Sequence, residues 1–225
     1  HEISAVLQVA RQHDEVLLRL ESAGGLVHAY GLAASQLVRI RQAGLRLTVA
    51  VDKVAASGGY LMACVADRIL AAPFAVVGSI GVVAQLPNFN RILKKNDIDL
   101  ELHTAGAYKR TLTVFGENTE AGRTKFREDL EDTHALFKAF VLEHRPTLDL
   151  DQVATGEHWF GTRAAALRLV DELRTSDDYL LGRARDADVT HLRYRVRRGL
   201  AERLGLGLAT LASAFGRKAL QPPAP

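Results

Sequence analysis

Leu47-Thr48-Val49-Ala50-Val51-Asp52-Lys53-Val54-Ala55-Ala56-Ser57-Gly58-Gly59-Tyr60 opens as an apolar run and closes on a serine followed by two glycines. Leu47 to Asp52 has the length and apolarity of a buried strand. Gly58 to Ala66 reads as a short helix carrying Tyr60, Leu61 and Cys64. Ser57 then falls where a strand ends and a helix begins. Such a junction exposes a side chain and aims free backbone N–H groups at one point.

The same alternation extends in both directions. Residues 3–12 carry apolar side chains at helical spacing, and Glu15 to Leu20 suits another buried strand. Glu21-Ser22-Ala23-Gly24-Gly25 is a turn that opens a helix through about Gln42. Arg68 to Ala72 and Val76 to Val83 are predicted strands, residues 87–96 a helix, and Ile98 to His103 a further strand. Thr104 to Gly116 is loop-like. Glu120 to Glu143 is a long amphipathic helix with Phe126, Leu130, His134, Phe137 and Val141 near one stripe. Thr162 to Leu169 and Ser176 to Ala187 are predicted helices, His191 to Tyr194 a last strand and Leu200 to Phe215 an amphipathic helix. Strands alternating with helices imply an α/β fold with parallel pairing through crossover connections.

The 225 residues suffice for one full core. A hydrophobic content of 48% with 24% charged residues is that of a soluble globular protein. The single cysteine, Cys64, excludes an internal disulfide framework and a multi-cysteine metal site. Net charge is +3, but from Arg193 onward seven basic residues face one acid, Glu202, which leaves −3 on the rest. That basic end suits a solvated helix, or contact with phosphate, anionic lipid or an acidic partner. The uncharged stretch Ile69 to Asn90 contains Pro73, Gly78, Gly81, Pro87 and several amides. It therefore reads as two short buried strands and not as a membrane span. The chain starts at His1 without an initiator methionine or signal peptide, as expected of a fragment whose natural N-terminus has been removed.

Two further residues bear on chemistry. Lys109 stands in Gly106-Ala107-Tyr108-Lys109-Arg110-Thr111, 52 residues after Ser57. A serine hydroxyl is a poor nucleophile until a base removes its proton, and a lysine kept neutral by burial can be that base. Ser79, in Gly78-Ser79-Ile80-Gly81, could hydrogen-bond the amine and orient it. The Gly58 N–H is well placed to be one oxyanion donor, and the Gly24-Gly25 turn, which also follows a strand, is the candidate for the second. Each feature has a plainer use: helix cap for Ser57, solvated surface for Lys109, tight turn for Gly24-Gly25 and for Ser79.

Taken in order, Val16 to Gly31, Val51 to Tyr60, Val77-Gly78-Ser79-Ile80-Gly81-Val82 and Tyr108-Lys109-Arg110-Thr111 resemble the Ser-Lys signal peptide peptidase family of serine proteases, in particular its SohB branch. The resemblance covers nearly all of residues 3–195. It implies a ClpP/crotonase-like fold of repeated ββα units with a mostly parallel sheet, spanning 1–196, followed by a basic C-terminal helix and disordered tail over 197–225. It makes Ser57 the nucleophile and Lys109 the general base, with Ser79 touching the lysine and Gly58, Gly24 and Gly25 forming the oxyanion hole. It implies a serine endopeptidase without cofactor or metal that acts on extended, apolar peptides such as signal-peptide remnants or damaged membrane proteins. It also implies a ring-like homo-oligomer that brings Ser and Lys together between adjacent subunits. The family's N-terminal anchor, which would lie upstream of His1, places it at the bacterial inner membrane with the catalytic part on the periplasmic side. Two positions depart from the family: Ala23, where proline is usual, and Arg168-Leu169, where a glycine often precedes the leucine.

Three other readings share parts of this pattern. A Ser-His-Asp hydrolase would draw on His103, His134, His144 or His158, none of which has a local signature. A crotonase-type acyl-CoA enzyme would share the fold and the two N–H donors but need no serine nucleophile. A catalytically weak or inactive membrane-associated scaffold would keep the fold alone. There is no P-loop, no dinucleotide fingerprint and no His-Glu-x-x-His. Only Tyr194 and Phe215 accompany the basic residues at the C-terminal end, which argues against nucleic-acid binding.

Overall fold

A computed structural model describes residues 2–193. The elements in chain order are α1 (Glu2–Val9), β1 (Glu15–Arg19), α2 (Val27–Gln42), β2 (Arg46–Val51), β3 (Val54–Ala56), α3 (Gly58–Ala63), β4 (Arg68–Ala71) and β5 (Val76–Gly78). Then come α4 (Asn90–Lys95), α5 (Glu120–His144), α6 (Leu150–Val153), β6 (His158–Phe160), α7 (Gly161–Ala166), β7 (Glu172–Leu173) and α8 (Ser176–Arg183).

The strands form two sheets. One is wholly parallel, in the order β1-β2-β4-β7; the other runs β3-β5-β6, with β3 and β5 parallel and β6 antiparallel. Each of the first three strands of the larger sheet feeds the smaller one. β1 leads to Ser22, which bridges Ala55; β2 leads to β3; β4 leads to β5. The first two such pairs are followed directly by α2 and α3. The outcome is the ββα repetition of a ClpP-like α/β fold.

Burial explains the arrangement. Leu47, Val49 and Val51 on β2 are fully buried, and so is Thr48, whose hydroxyl donates to Glu15. A strand covered on both faces belongs in the middle of a parallel sheet. Helix α2 buries Ala34, Leu37 and Ile40, spaced one turn apart, and packs on α3. Full burial of each Leu or Ile there contributes roughly 1.5–3 kcal/mol. At the far end of α5, the Arg145 guanidinium makes two bonds to the Asp171 carboxylate, 2.6 and 2.9 Å. Asp171 in turn accepts the Ile69 N–H, so the pair ties the helix to β4.

Several expectations shift. Ile98 to His103 is irregular and not a strand, because no neighbour among the described residues offers it a ladder; Ile98, Leu100 and Leu102 stand about half exposed. The strand expected over residues 76–83 stops at Gly78. The short elements β3, α6, β6 and β7 were not foreseen. Residues 191–193 are irregular where a last strand was expected. The expected C-terminal helix and tail over 197–225 lie outside the described residues. Among the described residues no helix is long and apolar enough to cross a membrane.

Candidate active site

Ser57 has φ 52° and ψ −119°, in a region that non-glycine residues rarely adopt. It stands directly before α3, yet its side chain makes no capping bond to that helix. The plain helix-cap reading therefore does not describe it. Its N–H donates to the Gly78 carbonyl at 2.8 Å, and its carbonyl accepts from Leu61 at 3.0 Å. The backbone is held at both ends while the half-buried hydroxyl stays uncommitted. A strained strand-to-helix turn of this kind projects a nucleophile clear of its own backbone.

The two glycine turns meet at this serine. Gly24 has φ +95°; a β-carbon there would lie 2.8 Å from the Ala56 carbonyl oxygen, 2.8 Å from the Ser57 β-carbon and 2.9 Å from the Gly58 nitrogen. Only a residue without a side chain fits. The Gly24 N–H donates to the Ser22 hydroxyl at 3.2 Å and is thereby occupied. Among the described residues the Gly25 and Gly58 N–H groups have no protein acceptor. Of the three candidate oxyanion residues, Gly25 and Gly58 thus retain available N–H groups, and Gly24 supplies the close approach.

Ser79 follows β5 with φ 54° and donates its N–H to the Glu157 carbonyl at 2.6 Å. The next carbonyl, Ile80, accepts a bond from His134 Nε2 at 3.2 Å, so α5 grips the chain beside Ser79. His134 therefore holds backbone and does not touch Ser57. His103 is exposed and 3.4 Å from Glu101, His158 is exposed on β6, and His144 packs on Phe140. No histidine among the described residues bonds Ser57.

Lys109 is exposed, and among the described residues its amine makes no hydrogen bond or ion pair. Its loop lies on the N-terminal half of α5. Gly122 lacks a β-carbon just where one would press to 2.3 Å from the Thr111 carbonyl oxygen, and Lys125 Nζ sits 5.6 Å from the Tyr108 ring centroid. Those anchors are nine to twelve residues before His134 on the same helix, or roughly 14–18 Å at 1.5 Å per residue. Ser57, Gly58, Gly24, Gly25 and the Gly78-Ser79 turn come together; among the described residues Lys109 makes no hydrogen bond to any of them, and its loop packs on the start of α5.

Three residues near this centre had no assigned role in the sequence reading: Ser22, Tyr30 and, as a backbone clamp, His134. Tyr30 puts its ring against Gly58 and Gly25, where added β-carbons would lie 2.4 and 2.9 Å from ring carbons, and its hydroxyl is 2.7 Å from that of Ser22. The only sequence signal was an aromatic hydroxyl in the first turn of the helix after the glycine pair. Cys64, behind the site, is inert: burial pushes its thiol up to about 12. No cluster of three metal-ligating side chains occurs among the described residues.

Residues 39–190 match the family model described as peptidase family S49, and residues 1–37 match that of its N-terminal region. The chain is 62% identical over 204 residues to the probable protease SohB of Haemophilus influenzae, covering 91% of this chain and 58% of that protein. It is 61% identical to the probable protease SohB of Buchnera aphidicola from Acyrthosiphon pisum, covering 90% and 60%, and 31% identical to a putative protease of Methanocaldococcus jannaschii, covering 89% and 65%. It thus spans less than two thirds of the length of these relatives. A glycine-lined serine on a strained ββα junction, with matches running from residue 1 to 190, makes this chain a member of peptidase family S49.

Proposed function

We propose that the protein is a serine endopeptidase with Ser57 as nucleophile and Lys109 as general base. The observation that carries this reading is the contact of Gly24 with Ser57 and Gly58, which sets two available N–H groups beside an uncommitted serine hydroxyl. Donors fixed in advance around a developing oxyanion are commonly the largest single contribution to acyl-transfer catalysis.

The reaction runs as follows. The neutral Lys109 amine accepts the Ser57 proton as the hydroxyl oxygen attacks the peptide carbonyl. The Gly58 and Gly25 N–H groups hold the oxyanion. The lysine ammonium protonates the leaving amine, and the acyl-serine remains. Water, deprotonated by the same amine, attacks the ester and frees the peptide acid and Ser57.

The lysine in each site comes from an adjacent subunit of a homo-oligomeric ring. Three features favour this: the α5 spacing between the Lys109 loop and Ser79, the solvent exposure of Lys109, and the uncovered apolar side chains Val83, Leu86, Phe89, Ile92, Leu100 and Leu102. Covering that segment with a second copy would bury the amine, and burial disfavours the ammonium form. In the assembled enzyme Ser79 orients the amine.

The proposed substrates are extended, apolar peptides such as signal-peptide remnants or damaged membrane proteins, and the proposed place of action is the periplasmic side of the inner membrane, reached through an N-terminal anchor. The deciding experiment compares peptide cleavage and fluorophosphonate labelling in wild type and Ser57→Ala. Cleavage and labelling in wild type, with neither in the variant, is the expected result. A Ser57→Ala protein that still cleaves overturns the reading.

A further inference from the structure

The geometry points to Tyr30 and Ser22 as a positioning pair that sets the second oxyanion donor. This rests on the peptidase reading above and names residues outside its dyad and donors.

Ser22 is fixed from both sides. Its N–H donates to the Val54 carbonyl at 2.9 Å, and its carbonyl accepts from Ala56 at 3.0 Å, one residue before the nucleophile. Gly59 admits this approach, since a β-carbon there would lie 2.4 Å from the Ser22 oxygen. The backbone of Ser22 is therefore in register with Ser57. Its hydroxyl reaches the other way and accepts the Gly24 N–H at 3.2 Å.

That bond occupies the Gly24 N–H and leaves the next amide, Gly25, without a protein acceptor among the described residues. A lone serine hydroxyl rotates freely and is a weak anchor. Here the Tyr30 hydroxyl, 2.7 Å away, removes the freedom. The two hydroxyls share one hydrogen bond in which either can donate, while Ser22 Oγ accepts from the Gly24 N–H. The ring does a second job: it stands against both Gly25 and Gly58, the two residues whose N–H groups would share the oxyanion. One side chain thus fixes the spacing of both donors and, through Ser22, the orientation of one. Neither residue touches the reacting atoms.

The test uses full-length protein with Tyr30→Phe, Ser22→Ala and the double variant, measured for kcat, KM and melting temperature on one peptide substrate. Loss of a whole oxyanion donor lowers kcat by about 100–1,000-fold, so its misorientation is expected to lower kcat by about 10-fold in Tyr30→Phe, with KM within about twofold. Ser22→Ala should match it, and the double variant should fall no further than the worse single, because one network is broken once. Ser22→Thr, which keeps the hydroxyl, should recover most of the activity. A Tyr30→Phe enzyme within about twofold of wild-type kcat overturns the pair, as does a double variant whose losses multiply. A kcat loss accompanied by a matching fall in melting temperature also overturns it, since that is a merely structural role. If Ser57 in wild type is labelled by a fluorophosphonate while Tyr30→Phe is fully active, only the pair falls; if Ser57 is never labelled, the peptidase reading falls with it.

Discussion

Gly24 and Ser57 are separated by 33 positions in sequence, yet a β-carbon on the glycine would stand 2.8 Å from that of the serine. The contact joins two turns at the ends of neighbouring parallel strands. It also requires φ +95° at position 24, where an L side chain is strained by about 1–2 kcal/mol before any clash. Gly24→Ala is therefore expected to abolish Ser57 labelling and to lower the melting temperature. Labelling at the wild-type rate would mean that the turn is not part of the site.

Lys109→Ala should reduce peptide cleavage by at least about 100-fold, the usual share of a general base. Lys109→Arg should not rescue it, because guanidinium keeps its charge. Both variants should keep the subunit folded, as circular dichroism would check, since within one chain the exposed amine makes no bond among the described residues.

A shared site between subunits predicts complementation. Inactive Ser57→Ala and inactive Lys109→Ala chains, co-expressed in equal amounts, should regain about a quarter of wild-type activity, the fraction of random interfaces that pair an intact serine with an intact lysine. No recovery in a verified mixed oligomer would place both groups on one chain.

Asp52 links β2 to α8: its carboxylate accepts the Ser176 N–H at 2.8 Å and the Ser176 hydroxyl at 2.6 Å, and Arg19 lies 3.3 Å away. Burial alone would raise its proton affinity. The Ser176 bonds and the Arg19 charge outweigh this and hold the carboxyl below the ordinary 3.8. A depressed carboxylate stabilises the fold above that ordinary value and loses its contribution as pH falls through the lower, folded value. Asp52→Asn should thus cost about 1 kcal/mol at neutral pH and flatten the acid limb of a stability–pH curve below 3.8. Urea titrations at several pH values measure both.

Arg168 occupies the position just past α7 with φ 61°, and the bonds Arg168 N–H to Ala165 carbonyl and Leu169 N–H to Ala164 carbonyl complete a left-handed helix stop. Glycine is at ease in that conformation and arginine is not. Arg168→Gly should raise stability by about 0.5–1 kcal/mol without affecting cleavage. A lower melting temperature would mean that the arginine side chain contributes more than its backbone costs.

Much of this architecture was legible beforehand. The apolar run Leu47 to Val51 and the helix spacing of Phe137 and Val141 are local patterns, repeated within one strand or a few turns, and burial follows them directly. The serine-glycine-glycine junction is local too, so Ser57 and Gly58 could be named before any coordinates. The strands β3, β6 and β7 span two or three residues each, too few to carry a period, and exist only because neighbours supply their ladders. Ile98 to His103 fails in the opposite sense, an extended apolar pattern with no partner strand among the described residues.

The amino-acid sequence by itself determined that strands alternate with helices, that the nucleophile candidate sits on a glycine-rich junction, and which family the chain joins. Tertiary structure alone decided that Gly24 presses on Ser57, that the Gly24 N–H is spent on Ser22 while Gly25 stays available, that the Tyr30 ring packs on Gly25 and Gly58, and that the Lys109 loop packs on the start of α5. The physical reason is range. Helix and strand signals act between residues a few positions apart, whereas these contacts join segments up to dozens of residues apart whose meeting depends on how parallel strands are laid side by side.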